Sequence, residues 1–100
     1  MSSLHLALPA SDTDVSSVTS FPTSPQIEAN FEPQSWAFRH TGTAGVIEIS
    51  FDGTNVNYRL QLSTDASSLS IPCTNTKVWF RRQAAGAGTA TVEALAQQVR

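Results

Sequence analysis

Histidine, carboxylate, cysteine and hydroxyl groups are the means by which so short a chain would act on a substrate, and their spacing here supports none of the usual reactions. His5 and His40 are the only histidines. A zinc site needs three or four converging donors, and neither histidine has a second ligand at a short fixed spacing. His40 therefore reads as a strand-end histidine held by hydrogen bonds. Glu48 and Asp52 are four residues apart on what reads as a hairpin. Two carboxylates cleave a glycosidic bond only when a cleft sets them on either side of it, so both are expected to be solvated strand charge. Ser and Thr are abundant, yet none lies in a Gly-x-Ser-x-Gly elbow. Gly86-Ala87-Gly88 lacks the strand-to-helix context and the lysine of a phosphate loop and reads as a hairpin connection. Cys73 is the sole cysteine, which leaves no intramolecular disulfide and no cysteine-based zinc site. It reads as a half-buried small residue, since a thiol turns reactive only beside a group that lowers its pKa. The sequence thus supplies no catalytic residue, no cofactor-binding residue and no metal ligand, and the expectation is that the chain is not an enzyme and needs no cofactor.

The segment that carries a binding expectation is Lys77-Val78-Trp79-Phe80-Arg81-Arg82. With Val78 and Phe80 turned to the core, Trp79 stands on the opposite face beside Lys77 and Arg81. Trp and Arg are the residues most enriched at binding hot spots. Three readings of Trp79 stay open: it is covered by the N-terminal segment or the other sheet, it contacts another subunit, or it stacks on a sugar.

Composition bounds the scaffold that must position these groups. Ser, Thr, Asn and Gln total 34 residues against 14 charged ones, which excludes a coiled coil and a charge-rich disordered tail. A net charge of −2 argues against a general nucleic-acid binder. There is no basic, apolar leader of signal-peptide type and no apolar run of the roughly 18 residues needed to cross a bilayer. The expectation is a soluble product of a reducing cytoplasm that binds neither membrane nor nucleic acid.

Composition shifts near residue 35. Eleven of the eighteen residues from Pro9 to Gln26 are Ser, Thr or Pro, and Pro9, Pro22, Pro25 and Pro33 interrupt regular structure. All charge before Arg39 is acidic: Asp12, Asp14, Glu28 and Glu32. The division that follows is an extended N-terminal arm over 1–34 and a β-sandwich body over 35–100. Leu4, Leu6 and Leu8 alternate in period two, so a short strand opens the arm. Together with Val15, Val18, Phe21 and Ile27 they make the arm too apolar for water. Three readings stay open: it folds back on its own body, it reaches onto a neighbouring subunit by strand addition or groove docking, or it is disordered. Leu4, Leu6, Leu8, Val18, Phe21, Ile27, Trp79 and Arg81 are the interface candidates.

The body reads as strands throughout. Trp36, Phe38 and His40 alternate with Ala37 and Arg39; Ile47, Ile49 and Phe51 alternate with Val46, Glu48 and Ser50. Asp52-Gly53 follows as a hairpin turn. A two-residue loop there sets Ile49 opposite Val56, Ile47 opposite Tyr58 and Glu48 opposite Asn57, apolar against apolar. A Ser/Thr-rich turn over 63–68 leads to a strand at Leu69 and Ile71, and the Lys77–Arg82 strand is followed by another over Thr89–Ala96 with a frayed tail. A helix from Val92 onward is the competing reading of that last stretch. The sum is an all-β fold, a single antiparallel sandwich of six to seven strands.

From Trp36 to Ala96 the chain resembles small β-rich virion proteins of tailed bacteriophages. The resemblance rests on Ile47-Glu48-Ile49-Ser50-Phe51-Asp52-Gly53, Lys77-Val78-Trp79-Phe80-Arg81 and Gly86-Ala87-Gly88-Thr89-Ala90-Thr91-Val92-Glu93. It implies a jelly-roll- or Ig-like sandwich and a place in the virion, with the major capsid protein or another virion protein as partner and a homo-oligomeric state. The function it implies is capsid decoration (cement) by clamping neighbouring subunits through the arm. The alternatives are a carbohydrate- or receptor-binding module of a fibre or spike, and a head–tail neck component. It supplies no catalytic residue.

Overall fold

Period-two alternation puts Trp36, Phe38 and His40 on one side of their strand and Ala37 and Arg39 on the other, and the same two-sidedness runs through most of the chain. The computed structural model describes residues 5–7, 11–61 and 68–99. They form nine strands: β1 His5–Ala7, β2 Ser11–Asp14, β3 Ile27–Glu28, β4 Ser35–His40, β5 Val46–Ser50, β6 Tyr58–Gln61, β7 Ser68–Pro72, β8 Lys77–Arg82 and β9 Thr91–Val99. One antiparallel sheet runs β1–β9–β4–β7, with β2 also paired to β9; the other runs β3–β8–β5–β6. β1 takes Gln97–Val99 and β2 takes Thr91–Ala94, so the two short strands share one lane and each sheet is four lanes wide.

The all-β expectation holds, but the count of six to seven strands is corrected to nine among the described residues. The difference comes largely from the segment read as an extended arm. Val15 is fully buried, its N–H donates to Ala90 O at 2.8 Å, and Val18 O accepts from Arg82 N. Gln26 imitates a strand residue: its side-chain amide donates to Phe80 O at 2.6 Å and accepts from Phe80 N at 3.0 Å. Ile27 then pairs with Val78. From Ser11 onward this stretch edges its own two sheets, which satisfies backbone groups of β8 and β9 that would otherwise be bare. Leu4 and Leu8 lie outside the described residues, as do residues 62–67 and with them most of the predicted Ser/Thr-rich turn.

The core lies between the sheets. Trp36 and Phe38 stand opposite Ala96 and Ala94 on β9, large against small, which leaves room for the rings. Phe38 meets Phe80 of the other sheet edge-on, centroids 5.8 Å apart, and stacks on Trp36 at 5.6 Å. Trp36 Nε1 donates to Asn75 O at 2.7 Å, so the buried indole keeps no orphaned donor. Ile47, Ile49, Leu60, Val78 and Phe80 supply the facing side. β9 continues to Val99 as a strand, in place of the frayed tail or helix.

Two connections differ from expectation. The β5–β6 pairing sets Ile47 opposite Leu60 and Ile49 opposite Tyr58, two residues beyond the register of a two-residue turn. The Asp52 carboxylate accepts N–H groups of Thr54 and Asn55, both at 2.8 Å, and the Ser50 hydroxyl at 2.9 Å. Its side chain thus organises a longer loop over 50–57. A shift of two leaves every side chain on its original face. Gly86-Ala87-Gly88 is not a hairpin connection, because β8 and β9 belong to different sheets; it crosses from one to the other. At the far edge Cys73, half-buried as expected, donates its N–H to Gln34 O at 3.1 Å. Ladder alternation then turns the backbone of Ser70 and Pro72 outward, and Pro72 removes one donor from the open edge.

Candidate functional site

β5 is the inner strand between β8 and β6, so its outward-facing Glu48 has a cross-strand neighbour on each side, Arg81 and Arg59. Arg81 Nε donates to Glu48 Oε1 at 2.7 Å and Arg59 Nε to Oε2 at 2.9 Å. One carboxylate thus anchors two guanidinium groups on the outer face of the sheet. Glu48 was expected to be solvated; it is 4% exposed, because long arginine side chains from both neighbours fold over it. Burial alone would raise its pKa, but the hydrogen bonds from Arg81 and Arg59 and their charges outweigh that and hold the carboxyl below its ordinary range.

The segment between β2 and β3 adds an aromatic. The Val18–Arg82 and Gln26–Phe80 bonds hold that segment along β8, and half-buried Phe21 lies with its ring 4.3 Å from the Arg81 guanidinium carbon, a cation–π contact. Arg81 is held on one side by a carboxylate and on another by a ring. The side chain of Arg59 is 52% exposed and that of Arg81 29%. Each engages Glu48 through Nε, which leaves the terminal fork for bidentate contact with a carboxylate.

Trp79 follows the predicted parity, on the same face as Arg81 and opposite Ser50, yet it is only 9% exposed. The 50–57 loop covers it: a β-carbon at Gly53 would fall 3.0 Å from Trp79 Cε2. Its indole N–H has no acceptor among the described residues. The structure therefore sets Phe21 against Arg81, places Trp79 on the same face two residues along β8, and adds Glu48 and Arg59 beside Arg81. Val18 and Ile27 pack against the core instead. Leu6 is a residue of β1 opposite Gln98; Leu4 and Leu8 fall outside the described residues. Glu48 was passed over because the expected turn register put Asn57, not Arg59, across from it.

Arg82 lies on the other face of β8, with Val78 and Phe80, and is 3% exposed. No carboxylate pairs with it among the described residues. Its guanidinium donates to the carbonyls of Ser16 at 3.2 Å, Gly86 at 3.0 Å, Ala87 at 2.7 Å and Gly88 at 3.4 Å. A planar cation with several donors suits this ring of carbonyls, and it ties the crossover to the segment after β2. His40 is the hydrogen-bonded strand-end residue expected. Gly42 N–H donates to Nδ1 at 3.0 Å, so the proton sits on Nε2 and is donated to Gly45 O at 3.1 Å. Among the described residues no three His, Cys, Asp or Glu side chains converge as a metal site would require.

The opposite outer face, on the β9–β4–β7 sheet, carries a shallow groove of about 310 Å³ between Ala37, Leu95, Ser68 and Ser70, rimmed by the Arg39–Glu93 ion pair at 3.1 Å. No protein-family model matches the chain, and no curated protein matches it.

Proposed function

We propose that the chain is a non-enzymatic structural subunit of a tailed-bacteriophage particle, a capsid decoration (cement) protein with the major capsid protein or another virion protein as its partner. The resemblance of Trp36–Ala96 to phage virion proteins motivates the setting, with its jelly-roll- or Ig-like sandwich. The observation that carries the mode of action is the Phe21–Arg81–Glu48–Arg59 strip. Arginines already ordered by a carboxylate and a ring lose little freedom on binding, and aromatic–Arg clusters are what protein interfaces enrich. In this reading the clamp is the strip, since the arm from Ser11 onward edges its own sandwich. Many such contacts repeated over a lattice add up even where each is weak.

Density-banded particles from the source, probed by mass spectrometry and by antibody labelling in the electron microscope, test the reading. The expected result is the chain in stoichiometric amount on the particle, lost on Arg59→Glu. A chain that stays wholly in the unassembled fraction overturns it. Sugar binding on Trp79 has less support, because an indole 9% exposed under a loop offers no open ring face.

A further inference from the structure

The outermost strand of an open sheet leaves backbone groups without partners, and monomeric proteins guard such edges with charge, proline or brevity. Among the described residues, three of the four sheet edges are guarded in this way. β2 carries Asp12 and Asp14 within four residues, and β1 beside it has only three. β3 has two residues, and β6 carries Arg59. β7 differs: it is five residues long, Ser68-Leu69-Ser70-Ile71-Pro72, and holds no charge. Ser68, Ser70 and Pro72 are exposed, Leu69 is half-buried and Ile71 is buried.

This open edge is complementary to itself. Leu69 and Ile71 pair with Phe38 and Trp36 on the core-facing side, and Ser68 and Ser70 with Arg39 and Ala37 on the outer side. With Cys73 N–H bonded back to Gln34 O, alternation turns the backbone of Ser68, Ser70 and Pro72 away from β4. A second copy, turned about a two-fold axis at Ser70, sets the two Ser70 residues opposite each other. Leu69 then meets Ile71 of the second copy, and Ser68 meets its Pro72. Apolar faces apolar on the core side and hydroxyl faces hydroxyl outside, as register requires. Each Ser70 N–H donates to the other Ser70 carbonyl, and each Ser68 N–H donates to the opposite Pro72 carbonyl. The donor that proline lacks falls on the last rung, where the ladder ends. This register matches all five residues; a slip of two leaves part of each β7 without its counterpart. Arg39, the nearest charge, is bound to Glu93 at 3.1 Å and lies beside Ser68. The axis therefore keeps the two Arg39 side chains at opposite ends of the junction.

We propose that the chain forms a two-fold dimer in which β7 of one copy pairs antiparallel with β7 of the other, Ser70 on the axis. The two sheets, each four lanes wide, become one continuous sheet. The same patch is used on both copies, so the contact closes at two. The partner is a second copy of this chain, whether or not a particle carries either of them.

Sedimentation of the purified full chain over a dilution series tests this. The wild type is expected to equilibrate between monomer and dimer, with nothing larger. Ser70→Lys places like charges directly opposite one another, and the association constant is expected to fall about tenfold or more. Ser70→Pro removes both central donors but no bond to β4, because that N–H points outward. It is expected to be monomeric with an unchanged circular dichroism spectrum. Arg59→Glu, on the other sheet, is expected to leave the dimer intact, which keeps this test separate from attachment to a particle. Ser70→Cys reports the register even if the other two Ser70 variants fail to fold. Cα atoms of a hydrogen-bonded antiparallel pair are about 5.5 Å apart, within disulfide reach. Oxidation is expected to link Ser70→Cys chains into dimers through position 70, while the wild type, whose Cys73 lies three residues beyond the axis, stays unlinked. Four results overturn the proposal: a wild type that stays monomeric or grows beyond dimer, a folded Ser70→Lys or Ser70→Pro chain that dimerises like the wild type, loss of the dimer in Arg59→Glu, or Ser70→Cys dimers without a link at position 70.

Discussion

Gly53 lies flat against Trp79: its φ is +80° and a β-carbon there would stand 3.0 Å from the indole Cε2. Backbone conformation and contact make the same demand, so Gly53→Ala meets both penalties. A left-handed alanine costs about 1–2 kcal/mol, and the indole has to shift as well. Urea denaturation followed by tryptophan fluorescence is expected to show a lower midpoint and a red-shifted native spectrum as the loop lifts from Trp79.

Glu48 is a buried acceptor shared by two cations. Glu48→Gln keeps the shape and removes the charge, leaving Arg59 and Arg81 facing each other. A hydrogen bond to a charged group contributes about 1.5–3 kcal/mol when buried; with both arginines partly in water the expected loss is near the lower end, about 1–2 kcal/mol. Equilibrium unfolding at neutral pH measures it.

Acid weakens the fold through three carboxylates. Glu48 is lowered for the reasons given above. Asp14 is lowered by hydrogen bonds from Ser16, and Asp52 is lowered strongly by the N–H groups of Asn55 and Thr54. A group more acidic in the folded than in the unfolded chain binds fewer protons when folded, so stability rises with pH across the gap. These contributions are complete above the ordinary carboxylate pKa of about 4 and are lost as pH falls below it. Urea midpoints from pH 7 to pH 3 are expected to be flat and then to drop. Asp52→Asn, which keeps an acceptor oxygen and cannot ionise, makes the drop shallower.

Arg82 is expected to resist even conservative exchange. Arg82→Lys keeps the charge but cannot span the Ser16, Gly86, Ala87 and Gly88 carbonyls with one ammonium. A loss of about 2 kcal/mol is expected, in the range of disrupted buried networks, with faster hydrogen exchange centred on residues 83–90. Uniform loosening of the whole chain would speak against the local role.

Residues 11–28 are structural by the same reasoning. Deletion of residues 1–34 removes Val15 from the core and strips a neighbour from β9 and from β8. The truncated chain is expected to be unfolded or aggregated by circular dichroism and size exclusion, since bare edges and a cavity act together. Val15→Ala within the full chain is expected to cost about 1–3 kcal/mol.

What the sequence made legible followed period and parity. Trp36, Phe38 and His40, Ile47 and Ile49, and Val78 and Phe80 went to the core faces because alternation alone assigns them. Turn chemistry was less legible. Asp52-Gly53 reads as a hairpin pair, and only the converging bonds from Ser50, Thr54 and Asn55 make it the middle of a longer loop. Folding back was one of the readings open to the N-terminal segment, but its pairing was not legible: its prolines and hydroxyl residues resemble a linker, and it edges the sheets by isolated contacts such as Gln26 to Phe80 that have no period. Of the strip, Phe21 and Arg81 were visible as residue types, as was Trp79 beside it. Glu48 and Arg59 required the true register. The parity that placed Phe80 inside already placed Arg82 there, and a charged residue on the core face was the unread signal.

β9 pairs on one side with β4 and on the other with β1 and β2, so β1 and β2 find their partner far along the chain. A nascent chain holds β1 and β2 unpaired until the residues of β9 have left the ribosome. Loop closure over nearly the whole length precedes completion of that sheet, which points to slow folding for so small a protein. It also leaves an apolar N-terminal stretch exposed for the duration of synthesis, when neighbouring chains compete for it.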